Sequence, residues 1–203
     1  MRPVPRSLLR LLSLFVCLLA FPADAHAHSP IKGMGDFVNG LLHPLTTASQ
    51  VLLIVGLGLL AGRRRPFNMK APMAVFIAFS GTALILATVG HLKSVHPAVL
   101  LGIALCAGTL LALDKNPDTL PFCALLAAGA MAMGLDSAVE AGSAATVAKT
   151  LFGNWISLVV LVYDVAIYVS LGGETKWLKV ALRIFGSWII AISLLVLAFS
   201  FRK

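Results

Sequence analysis

The chain has 203 residues, 59% hydrophobic and 12% charged, with a mean hydropathy of +0.96 and a formal charge of +8. A soluble domain carries about 25% charged residues, so the composition excludes one and implies an integral membrane protein. Nucleic acid is not implied as a partner: most cations sit at the ends of apolar segments, as membrane topology requires, and they form no basic helix or aromatic-interleaved basic patch.

The first residues have the layout of a secretory signal. Arg2, Arg6 and Arg10 make a basic start, residues 8–21 a short apolar run, and Ala23-Asp24-Ala25 a small-x-small cleavage site. The run is short against the ~20 residues that a spanning helix needs. We expect a signal peptide over 1–25 and a membrane domain over 26–203. Cleavage after Ala25 leaves His26-Ala27-His28 at the start; Ala25-His26-Ala27 is a second site that would leave His28 first. With His26 first, the free amine, two amide nitrogens and the His28 imidazole can enclose a square-planar Cu(II) or Ni(II) ion. The plain alternative is a pair of solvated histidines beside a cleavage site.

Residues 36–62 open the mature domain. Asp36, Asn39, His43, Thr46 or Thr47, and Gln50 recur at steps of three and four, which on one helix makes a polar stripe. Polar groups in a membrane segment normally face a bundle interior or a watery path. Pro44 loosens the backbone beside His43 by removing a hydrogen bond and crowding the previous turn. His43 and Asp36 are therefore candidates for metal or proton handling, against the plainer reading of a histidine bonded to a neighbouring helix.

Five further apolar segments follow, at 71–90, 96–113, 119–137, 145–171 and 177–201, so the expected fold is all-α with six transmembrane helices. A cleaved signal puts the mature start outside. Arg63, Arg64, Arg65, Lys70, Lys115, Lys176, Lys179 and Arg183 then lie on the cytoplasmic side, against Lys32, Lys93, Lys149, Arg202 and Lys203 opposite. Gly56, Gly58, Gly102, Gly108 and the small residues of 127–134 permit close helix packing. Cys17 falls in the signal, and Cys106 and Cys123 read as packing residues, so no disulfide framework is indicated.

Three more groups bear on chemistry. Met131, Met133 and Asp136 end the fourth helix on the outer side, where thioether sulfur suits a soft ion such as Cu(I); methionine is also ordinary helix filler. Asp164 shares a face with Asn154, Ser157 and Tyr168, and Arg183 lies at similar depth in the next helix. Asp164 and Arg183 either pair with each other or, with Gln50 and Asn154, line a transport path. His91 and His96 flank an outer loop and could extend a histidine cluster, or simply be solvated. No nucleotide-binding loop, zinc-protease motif or Ser/His/Asp pattern is present, and an enzyme is not expected.

The stretch Gly35-Asp-Phe-Val-Asn-Gly-Leu-Leu-His-Pro-Leu-Thr46, the histidine-rich start, the six apolar segments and Leu182-Arg-Ile-Phe-Gly-Ser187 together resemble the HupE/UreJ family. The resemblance implies a hydrogenase or urease accessory membrane protein of the kind regarded as nickel, or in some cases cobalt, permeases. The family pattern resembles His-Pro-x-x-Gly-x-Asp-His. Here His43 and Pro44 match, while Thr47 stands for the glycine, Ser49 for the aspartate and Gln50 for the second histidine. A second pattern resembles His-Gly-His-Ala-His-Gly-x-Glu, against Gly129-Ala-Met-Ala-Met-Gly-Leu-Asp136 here.

These substitutions imply a retained scaffold with altered metal chemistry. One expectation is a bacterial inner-membrane permease, with a periplasmic mature start, that takes up a nickel-type or copper ion through His26, His28, Asp36, His43, Met131, Met133 and Asp136. No resident cofactor is expected; the ion is cargo. The membrane potential would favour its entry by roughly 2.3 kcal/mol per charge per 100 mV. The other expectation is a non-transporting subunit that docks or helps assemble a metalloenzyme or its maturation machinery.

Overall fold

The computed structural model describes residues 34–89, 95–137 and 142–200. It contains seven α-helices among these residues and no strand: α1 Asp36–Thr46, α2 Ala48–Gly62, α3 Lys70–Val89, α4 Pro97–Ala112, α5 Thr119–Asp136, α6 Ala144–Leu171 and α7 Lys176–Ser200. The last five coincide with the expected apolar segments to within a residue at each end, because Pro97 and the Gly172-Gly173 turn punctuate the chain clearly.

The first segment departs from expectation. Instead of one helix over 36–62, the chain breaks at Thr47 (φ −103°, ψ 105°), and α1 and α2 meet at a bend of 74°. The Thr46 and Thr47 hydroxyls donate to the His43 carbonyl at 2.9 and 3.2 Å, occupying the acceptor that a continuing helix would use. Pro44 has already removed one bond from that turn. The break therefore falls three residues beyond the proline.

Helices α3, α5, α6 and α7 are long and apolar enough to cross a membrane, and α1 with α2 would make a fifth, broken span. Helix α4, at 16 residues, covers about 24 Å against a ~30 Å hydrocarbon core. The protein is a helical membrane protein.

Helix α2 is the axis of the bundle: eleven of its fifteen residues are buried, and it touches α1, α4, α5, α6 and α7. A helix apolar on all sides is buried on all sides. Helix α7 is the opposite case, with only Leu182, Gly186, Ile189 and Ser193 buried among 25 residues, a single narrow stripe. The tightest approaches use paired glycines. Gly40 of α1 lies on the Thr150 carbonyl of α6, and Gly153 of α6 on the Phe37 carbonyl of α1. Gly108 of α4 and Gly186 of α7 pair similarly. Gly102, expected to serve the same purpose, has open space where a Cβ would stand.

The three consecutive arginines after α2 do more than set topology. Arg63 pairs with Asp114 and reaches the Leu110 carbonyl at 3.5 Å. Arg64 donates to the Pro117 carbonyl and Thr119 Oγ1, and its guanidinium lies 4.5 Å over the Phe122 ring. Arg65 donates to Gly62, Ser170 and Gly173 carbonyls. Each guanidinium thus ties the end of α2 to a different neighbour, satisfying carbonyls that helix ends leave open. Arg64→Ala removes two hydrogen bonds and a ring contact from a half-buried site, and should cost about 1–3 kcal/mol in thermal unfolding of the purified protein. An unchanged midpoint would reduce the arginines to topology signals.

Candidate functional site

The break at Thr47 places the end of α1 and the start of α2 against the end of α5. Helix α5 runs antiparallel to α2: Gly129 meets Leu53 and Leu57, so seven residues on, Asp136 meets Gln50. Gln50 is fully buried. Its Nε2 donates to Asp136 Oδ2 at 2.8 Å and to Ser137 Oγ at 3.2 Å, and lies 3.5 Å from His43 Nε2. Ser137 in turn donates to the Met133 carbonyl at 2.7 Å. Asp136 and Ser137 are 6% and 4% exposed, and His43 is half-buried. An imidazole, an amide, a carboxylate and a hydroxyl from three helices therefore share one point.

Helix α6 adds to this level. It runs parallel to α2, with Gly58 on Val162 and Val165, and Gly62 on Ala166 and Val169. Eight residues earlier on both helices, Gln50 stands level with Asn154 and Ser157. Asn154 and Ser157 are 2% and 6% exposed, as is Ser49 at 6%. Both side-chain polar atoms of Asn154, and Gln50 Oε1, are buried without a hydrogen-bond partner among the described residues. Such orphaned groups are rare and costly in proteins. Inward of this layer the seam is apolar: Leu53, Leu57, Leu60, Leu158, Val162 and Ala166 are all 0% exposed.

The structure brings His43, Gln50 and Asp136 together, as the first and fourth helices of the sequence analysis would require. Asp36 is half-buried two turns before His43, and Asn39 donates to the Met34 carbonyl at 3.2 Å. Met133 is fully buried within the hydrophobic core, while Met131 is half-buried. His96 is an N-cap, its Nδ1 accepting from Ala98 N at 3.2 Å. His26, His28 and His91 lie outside the described residues.

The expected Asp164–Arg183 pair is corrected. Both residues are exposed, and Arg183 instead donates from Nε to the Ala112 carbonyl at 3.2 Å. Helix α6 packs on α1, α2 and α3, and α7 on α4 and α2, which holds the two side chains apart. Asp164 does not share the buried surroundings of Asn154. The short α1 covers α6 around Gly153 and leaves the same face bare further along. Ser137 and Ser49 were missed; Ser137 stands four residues after Met133, the spacing that lets a serine bond back to its own helix.

Among the described residues, no three His, Cys, Asp or Glu side chains gather as a metal cage. What the site offers is two ionisable ligand types, His43 and Asp136, joined through one amide. The profile of a family described as HupE / UreJ protein matches residues 15–196. No curated protein and no solved structure matches the chain.

Proposed function

The matched segment is most of the chain, which therefore belongs to the HupE/UreJ family, and from that premise we propose that it carries a transition-metal ion inward from the outer side of a bacterial inner membrane. The family is associated with nickel or cobalt transport, or with accessory roles for hydrogenase and urease. The observation that carries the reading is the meeting of His43, Gln50 and Asp136 at a broken helix. Backbone that leaves helical geometry at membrane depth is tolerated where it is buried in protein or lines a cavity. A transported ion must also bind weakly enough to leave. One imidazole and one carboxylate, with the unpartnered oxygen of Gln50 beside them, suit transient contact better than a closed cage. Asn154 and Ser157 widen the polar layer at the same level.

In this reading the six apolar segments all cross the bilayer, the broken one included, and the mature start with His26 and His28 captures the ion outside. Loss of the family's second histidine at Gln50, with methionines at 131 and 133, favours copper over nickel as cargo. The runner-up is a scaffold subunit for a metalloenzyme, and a specific observation favours it: the apolar layer of Leu53, Leu57, Leu158 and Val162 closes the seam inward of Asn154.

Uptake of nickel, cobalt and copper into proteoliposomes holding the purified protein separates the two. Transport predicts accumulation of one of these ions above empty vesicles. No accumulation of any ion by folded protein overturns the carrier reading and leaves the scaffold.

A further inference from the structure

We propose that the protein forms a two-fold symmetric dimer through the outward faces of α6 and α7, in which Asp164 of each copy pairs with the partner's Arg183. This rests on the membrane-spanning character of the helices and is independent of the cargo.

Asp164 lies inside a 28-residue span, seven residues or about 10 Å from its end at Leu171. It is exposed, and it has no hydrogen-bond or ion-pair partner among the described residues. Ionisable side chains at such depth are rare, and almost always face protein or water and pair. A carboxylate turned toward lipid is therefore poorly explained by a single copy.

The complementary group is on the same chain. Arg183 is seven residues into α7, the cation set deepest in a helix among the described residues, and it too is exposed. Among the described residues only its Nε is used, on the Ala112 carbonyl, which leaves both Nη groups for an acceptor. The two charges stand at equal depth from the same end of the bundle. A two-fold axis along the membrane normal preserves depth, so it can bring each Asp164 to the partner's Arg183 and form both pairs at once.

The surroundings fit a protein contact. Tyr163 and Tyr168 flank Asp164, at 40% and 74% exposed, and Ile184 and Trp188 lie beside Arg183, at 53% and 65%. Aromatic side chains and arginine are the residue types enriched at interfaces between proteins.

The test uses the full chain in lipid nanodiscs, with the copy number read by native mass spectrometry. Wild type should be dimeric. Asp164→Arg alone and Arg183→Asp alone should each be monomeric, because each homodimer would set like charges together twice. Co-expressed with different tags, the two reversals should recover a mixed dimer carrying both tags, since every contact is then complementary. Should the reversals fail to accumulate, Asp164→Asn and Arg183→Gln should each weaken dimerisation at least tenfold. A monomeric wild type overturns the proposal. So does a dimer indifferent to these changes, or the absence of a mixed dimer from two folded reversals.

Discussion

Replacing Gly40 with alanine should unseat α1 and cost the protein more than about 3 kcal/mol, beyond the usual range for an overpacked site. The added Cβ would press on the Thr150 carbonyl oxygen and crowd the Asn154 nitrogen of α6. Both are helical backbone atoms, which cannot rotate aside as a side chain can. Gly153→Ala should behave alike, pressing on the Phe37 carbonyl from the other helix. Alanine is the better helix former by about 0.5–1 kcal/mol, which does not offset such a clash. Gly102→Ala is the control: nothing stands within 4 Å of its new methyl, so it should be neutral or slightly stabilising. Thermal unfolding followed by size-exclusion fluorescence would compare the three. Equal midpoints for Gly40→Ala and Gly102→Ala would mean that α1 is not seated against α6. Because α1 carries His43, Gly40→Ala should also lower metal uptake.

The second large effect concerns the ion. If the proposed carrier role holds, His43→Ala and Asp136→Asn should each weaken ion binding by about 10–100-fold, the range seen even for groups that only support a metal ligand. Asp136→Asn is the cleaner change. Its amide oxygen can still accept from Gln50 Nε2, so the tie between α2 and α5 survives while the charge goes. Gln50→His should act in the opposite direction. It would place a second imidazole where Gln50 now lies near both His43 and Asp136, and restore the residue type of the family pattern. Tighter binding would then slow release, so affinity should rise as transport slows. Calorimetric titration of detergent-solubilised protein gives the affinities, and proteoliposome uptake gives the rates. If His43→Ala and Asp136→Asn both bind and transport as wild type does, the ion passes elsewhere.

Local pattern explains why so many elements were legible in the sequence. Apolar runs of spanning length, ended by Pro97 or by the Gly172-Gly173 turn, give α3 to α7 almost to the residue. The polar recurrence through Asp36, His43 and Gln50 marked the stretch whose His43 and Gln50 converge with Asp136, since polar groups in a membrane helix need partners. It mistook the geometry. The residues converge because the helix breaks at Thr47, and two threonine hydroxyls on one carbonyl leave no periodic mark.

From the chain alone it follows that this is a helical membrane protein, where its last five helices lie, and which end carries the arginines. Those properties follow from hydropathy, length and turn residues, all local in the chain. Tertiary structure alone decided which polar groups meet. Gln50 and Asp136 are 86 residues apart, and their bond depends on α5 running antiparallel to α2 at a register set by Gly129. It also decided that Asp164 and Arg183 stay apart, because α6 packs chiefly on α1 and α2 while α7 packs chiefly on α4. Helical periodicity places a residue on a face of its own helix, but what covers that face depends on the packing of the other helices.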